Sequence, residues 1–185
     1  MSYLNKLKDS TAIIFDEFQN CISKTIIADF DRDDMSVFVQ DTMAHVRHGA
    51  PLSLLIIHSG GVSEFNGIAR GLYNGFREIS IFKERSREAR VSARHVVNMP
   101  AVVKGTIVNS VQKPFDIPLD VTVENISTTG ALIKCKPGLL KVPSTLIVEM
   151  SIGGKLTSLT ATVMREQLND NKTSSYGCKF IKRNA

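Results

Sequence analysis

The sequence predicts a mainly β protein: an antiparallel barrel in the C-terminal half, preceded by a smaller β-rich, barrel-like domain that opens with an N-terminal helix. Three observations lead there. Beyond His95 apolar and polar residues alternate in runs of strand length, glycine-bearing turns separate the runs, and no helical periodicity lies between them. The predicted organisation is a helical arm over 1–24, a β-rich domain over 25–82, a basic joint over 83–94 and a barrel over 95–185.

The elements follow in chain order. Leu4, Leu7, Ile14, Phe18, Cys21 and Ile22 fall mostly at three- and four-residue steps among charged neighbours, which predicts an amphipathic helix of about 20 residues. The runs Ile26–Phe30, Met35–Val39, Leu52–Ile57, Phe65–Leu72 and Phe76–Phe82 read as strands. Between Met35 and Gly49 the reading stays open, since Val39, Met43 and Val46 also fit one helical face that Gly49 would cap. The stretch KERSREARVSAR (Lys83–Arg94) breaks the periodicity, and five of its twelve residues are Lys or Arg. Val96–Val108 is rich in β-branched residues, and Val121 and Val123 alternate with Thr122 and Glu124. Leu146–Ile152 and Leu159–Val163 form a hairpin across Gly153-Gly154, and Tyr176–Ile181 supplies the last strand.

Composition excludes more than it assigns. The chain has 185 residues, 43% of them apolar, enough for a packed core without staples. Cys21, Cys135 and Cys178 have no CxxC or Cys/His spacing, so neither a disulfide framework nor a zinc site is expected, and a reduced, cytoplasmic setting fits best. The opening MSYLNKLKDSTAIIFDEF lacks the features of a secretory leader, and no apolar run reaches the roughly 20 residues of a membrane helix. A net charge of +5 favours phosphate-bearing partners without naming one. Of the histidines, His45 and His48 stand three apart, but two ligands do not close a metal site. Ser59-Gly60-Gly61 is not a GxSxG elbow, and there is no P-loop or GxGxxG; no enzyme is expected.

Two islands carry the functional signal: RVSAR at Arg90–Arg94, and NISTTG at Asn125–Gly130 after a predicted strand. On spacing alone the first can be an ordinary basic stretch, and the second a turn in which Asn and Ser bond to nearby backbone. Their setting changes the weight. Pro100 and an apolar run follow Arg94, VTVENISTTGALI runs strand–motif–strand, and the long hairpin LIVEMSIGGKLTSLTATVMRE precedes YGCKF. In order, spacing and pattern, residues from about Arg85 to Ile181 resemble the PilZ domain family, with its RxxxR leader, its [D/N]xSxxG turn and its closing YGxxF-like strand.

The resemblance implies a receptor for cyclic diguanylate (cyclic di-GMP). Arg90 and Arg94 would be the arginine pair, with Arg85 and Arg87 as helpers, and Asn125, Ser127 and Gly130 would form a fixed wall on the barrel surface. The chemistry is apt, because guanidinium groups fork onto phosphate oxygens and onto the O6/N7 edge of guanine, and Lys does neither as well. The family often carries Asp at the position of Asn125, and often a further arginine where this chain has Glu88-Ala89. The 25–82 region is similar in outline to the small barrel of two-domain flagellar-brake-type receptors. That implies transmission by inter-domain rearrangement to a protein partner in motility, adhesion or biofilm control. Two other readings stand beside it: a PilZ-like adaptor without nucleotide binding in pilus or secretion assembly, and a basic nucleic-acid-binding barrel, which no motif supports. Homodimer formation, and one or two ligand molecules per site, are left open.

Overall fold

The computed structural model describes residues 7–43, 45–82, 93–169 and 172–181. Twelve strands are found there, arranged as two closed six-stranded barrels, and the chain divides between them into two units. The first barrel holds β1 (Thr11–Phe15), β2 (Cys21–Asp31), β3 (Ser36–Gln40), β4 (Pro51–His58), β5 (Gly61–Tyr73) and β6 (Phe76–Phe82) in the order β1-β2-β3-β6-β5-β4. All of its pairings are antiparallel, and β4 closes on β1 with Ile13 opposite Leu55. Its core is a cluster that includes Ile14, Ile27, Val37, Leu54, Phe65 and Ile79. Each such side chain contributes about 1.5–3 kcal/mol by leaving water.

The expected N-terminal helix is not present among the described residues; β1 and the start of β2 occupy its span. The local reasons are legible in retrospect. Thr11–Phe15 is a continuous apolar and β-branched run buried at every position, which a one-faced amphipathic helix would not be. Asp16 then stops it, its carboxylate accepting the backbone N–H groups of Phe18 (2.9 Å) and Asn20 (2.8 Å) while Gln19 takes a φ of 65°. Of the two readings of Met35–Gly49, the strand holds for its first part, as β3.

The second barrel contains β7 (His95–Val108), β8 (Val111–Ile126), β9 (Gly130–Cys135), β10 (Ser144–Ile152), β11 (Lys155–Leu168) and β12 (Ser174–Phe180). Its order is β10-β11-β12-β9-β8-β7, and β7 closes on β10 with Val103 opposite Val148. Inward residues alternate as a half-buried strand requires: Val97, Met99, Ala101 and Val103 on β7, Leu146, Val148 and Met150 on β10. The β10–β11 turn is Gly153-Gly154, with φ of 59° and 80°, the left-handed pair a two-residue hairpin needs. The β7–β8 turn uses Asn109-Ser110 in the same way, at 51° and 64°.

The long β7–β8 ladder sets the register of everything beyond it. It shifts near Gly105, where a Cβ would stand 2.3 Å from the Lys113 carbonyl oxygen. Only glycine lets the two backbones approach that closely. Gly105→Ala should therefore push the strands apart and cost about 2 kcal/mol, read as a lower urea midpoint with an unchanged slope.

Two of the three thiols lie in the second barrel. Burial pushes the Cys178 thiol up to about 12 and, with a contribution from the Glu166 carboxylate, the Cys135 thiol up to about 11. Both stay protonated and inert at neutral pH, whereas Cys21 is exposed. Mass spectrometry after brief maleimide treatment should find one modified cysteine, Cys21, in the native protein and three after denaturation.

Candidate functional site

The site begins where β8 runs out. Val121 and Val123 point into the barrel, the register against β9 then shifts between Val123 and Asn125, and Ile126 is the next inward residue, which leaves Asn125 half-buried on the outward side. The chain must then reverse into β9 within Ser127–Thr129. The Ser127 N–H donates to the Gly130 carbonyl (2.9 Å), and its Oγ accepts the N–H groups of Gly130 (3.2 Å) and Thr129 (3.3 Å). This hydroxyl-closed turn satisfies groups that neither ladder reaches.

Ser127 therefore departs from the expectation that it stands on the barrel surface: it is 6% exposed. A hydroxyl satisfying two backbone N–H groups is drawn under the turn, so what Ser127 contributes here is the shape of the NISTTG loop. Gly130 differs in its reason as well. It is not among the positive-φ residues; instead, a Cβ at this position would lie 2.1 Å from the Cys178 carbonyl oxygen on β12. The β12 strand clamps the turn from that side, pairing Lys179 with Gly130 and donating the Phe180 N–H to the Thr129 carbonyl (2.8 Å).

The β7 strand arrives from the other side. His95 pairs with Ile126 and Val96 with Asn125, so Arg94, one residue ahead of the ladder and exposed, lies alongside the Ser127 turn. Arg94 and Asn125 are thus brought together across more than thirty positions of sequence. Arg85, Arg87 and Arg90, with the joint up to residue 92, lie outside the described residues.

The outer face continues sideways. Asn125 pairs with Leu132, Leu132 with Gly177, and Gly177 with Arg165, so one row crosses β7, β8, β9, β12 and β11. Val96 and Arg165 are exposed at its ends and Leu132 and Gly177 are half-buried between them. Lys179, exposed opposite Gly130, adds a positive charge at the turn, while Lys134 lies 3.5 Å from Glu124 and is locally neutralised. Neither Lys179 nor Arg165 is singled out by sequence pattern, although Lys179 lies within YGCKF and Arg165 on the strand before it. Pairing of the strands is what brings them to this face.

Elsewhere the described residues offer little chemistry. His58 and Ser63 approach to 2.9 Å in the first barrel, but Nδ1 of His58 accepts the Gly60 N–H (3.1 Å), so the ring proton sits on Nε2 and is donated to Ser63. That histidine is no base for the serine. Among the described residues no group of three or more His, Cys, Asp and Glu side chains is placed to hold a metal ion, and no helix is long and apolar enough to cross a membrane.

Comparison with solved structures finds similar proteins. The Bacillus subtilis inhibitor of motility MotI/DgrA shares 9% identity over 97% of this chain and 90% of its own, with a TM-score of 0.41. The K. pneumonia MrkH–c-di-GMP complex shares 15% identity over 98% of this chain and 82% of its own, with a TM-score of 0.38. The Borreliella burgdorferi PlzA protein in complex with c-di-GMP shares 10% identity over 96% and 82%, with a TM-score of 0.33. No curated protein is matched. A sequence model of the PilZ domain matches residues 84–185, from the basic leader through β12, and the chain belongs to the PilZ domain family.

Proposed function

We propose that this protein is a cytoplasmic receptor for cyclic diguanylate that controls motility, adhesion or biofilm formation through a protein partner, and that it carries out no catalysis. The observation that carries the reading is the pairing of Val96 with Asn125, which sets Arg94 beside the NISTTG turn in a member of the PilZ family. In this reading Arg94 and Arg90 take phosphates and a guanine edge, with Arg85 and Arg87 assisting. Asn125 meets a base or ribose, and Ser127 and Gly130 hold the turn that presents it. A guanidinium forked onto phosphate gains from both charge and geometry.

The leader lies in the chain between β6 and β7. Ligand gathered by its arginines onto the second barrel would change how the two barrels are placed, and a partner would read the changed surface. MrkH and PlzA have each been solved in complex with c-di-GMP.

Calorimetric titration of the full chain at moderate salt should show saturable binding of cyclic diguanylate and none of GTP. Arg94→Ala and Arg90→Ala should each weaken it by about tenfold to a hundredfold. Absence of heat, and of binding by a second method, would leave a PilZ adaptor acting through protein contacts. Small-angle scattering tests the transmission step: the profile should change on saturation, and an unchanged profile would refute inter-domain rearrangement. Gly130→Ala should lower both the melting temperature and the affinity, since its methyl group collides with the Cys178 carbonyl. Loss of affinity at an unaltered melting temperature would count against that account of Gly130.

A further inference from the structure

We infer that the end of the second barrel opposite the NISTTG turn is a two-fold interface between copies of this chain, in which Ile117 of each copy enters an apolar groove of the other. The inference is independent of the receptor reading, since it uses no residue of the candidate site. Three features converge on it. The first is the groove, about 620 Å³ in volume and lined by Ile107 and Val108 at the end of β7, Phe115 on β8, and Leu139, Leu140 and Pro143 in the β9–β10 loop. Leu140 is buried while Val108 and Leu139 stay exposed, so the groove has an apolar floor and an open apolar rim. Its wall is held in shape, because the Gly138 N–H donates to the Tyr176 hydroxyl (3.0 Å), which donates in turn to the Glu166 carboxylate (2.7 Å). Exposed apolar surface gathered in this way, rather than scattered singly, marks a docking surface.

The second feature is the knob beside the groove. The β7–β8 ladder runs past the barrel wall, since β9 joins β8 only from Thr122 onward. Between the pairs Gly105–Pro114 and Val103–Leu119, four residues of β8 face Lys104 alone, so Phe115–Pro118 bulges and Ile117 is 80% exposed. Phe115, two residues before it, lines the groove, and knob and hole therefore belong to one patch. A two-fold interface needs such a patch, one that is its own complement. A strand added along the open edge of β8 is disfavoured. Val108 and Val111 flank a two-residue turn and so form a hydrogen-bonded pair; by alternation Pro114 turns its missing N–H toward that edge. Proline there blunts strand addition and leaves the contact to side chains.

The third feature is charge, which selects a second copy as the occupant. Lys141 lines the groove, whereas Asp116 stands next to the knob. Both are exposed, and among the described residues neither is engaged in an ion pair. The hole thus carries a cation and the knob an anion. Two copies related by a two-fold axis set Asp116 against Lys141 twice, once at each end of the interface. One knob and one groove per copy make a contact of the small, transient class, under about 600 Å² per partner, so the dimer is reversible.

Sedimentation velocity of the full chain, from micromolar to several hundred micromolar, should show a monomer that passes reversibly into a dimer. Ile117→Asp and Leu139→Asp should each weaken association about tenfold or more, at unchanged melting temperatures because both side chains are exposed. Asp116→Lys and Lys141→Asp should each weaken it alone, and an equal mixture of the two should associate again, since opposite charges then meet at both ends. A chain that stays monomeric throughout would overturn the inference and leave the groove to another occupant. So would a dimer that Ile117→Asp leaves intact, or a mixture of the two charge variants that associates no better than either alone.

Discussion

The register of β7 against the end of β8 is the constraint on which the site depends. Asn125 and Arg94 are far apart in sequence, and nothing local holds them together; the pairing of Val96 with Asn125 and of His95 with Ile126 does. A slip of one residue would turn Asn125 inward and Ile126 outward, which burial of Ile126, Val123 and Val121 opposes by several kcal/mol. The geometry of the candidate site and core packing are therefore the same constraint seen from two faces of one sheet. Barrel closure through β10 and β12 removes the free edges along which such a slip could spread.

Much of the second barrel was legible in the sequence because its strands are half-buried. Leu146, Val148 and Met150 alternate with exposed or half-buried partners, and Gly153-Gly154 marks the reversal. The first half of β8 was missed although Phe115, Ile117 and Leu119 alternate with Asp116, Pro118 and Asp120: two prolines argue against a strand, and Val111–Asp120 is largely exposed, so the strand is held by its pairing with β7. At the N-terminus the failure had the opposite cause. Thr11–Phe15 is buried throughout, a short continuous apolar run has no period of its own, and more distant residues lent it a helical one.

The site divides along similar lines. The family resemblance marked Asn125, Ser127, Gly130 and Arg94, but not how each acts. Ser127 and Gly130 serve the backbone, one by closing the turn through its hydroxyl and the other by admitting the Cys178 carbonyl. A motif residue can thus be required by the architecture of a site without presenting any group to a ligand. Contacts made across strands, as for Lys179 opposite Gly130, have no sequence spacing to announce them.

Asn125 shows how charge is apportioned on this face. A carboxylate at that position would accept two bonds from the donor edge of a guanine, but it would also stand close to any phosphate that Arg94 attracts, in a half-buried setting where repulsion is poorly screened. The amide of Asn125 accepts through its oxygen and donates through its nitrogen, and carries no charge. In the proposed receptor it would meet base or ribose while leaving the local field to the cations. With Lys134 already engaged by Glu124, those cations are Arg94 and Lys179 near the turn and Arg165 across the row. A neutral centre between positive borders suits a ligand whose phosphates and bases lie in alternation, since each kind of group then meets the partner that costs least to desolvate.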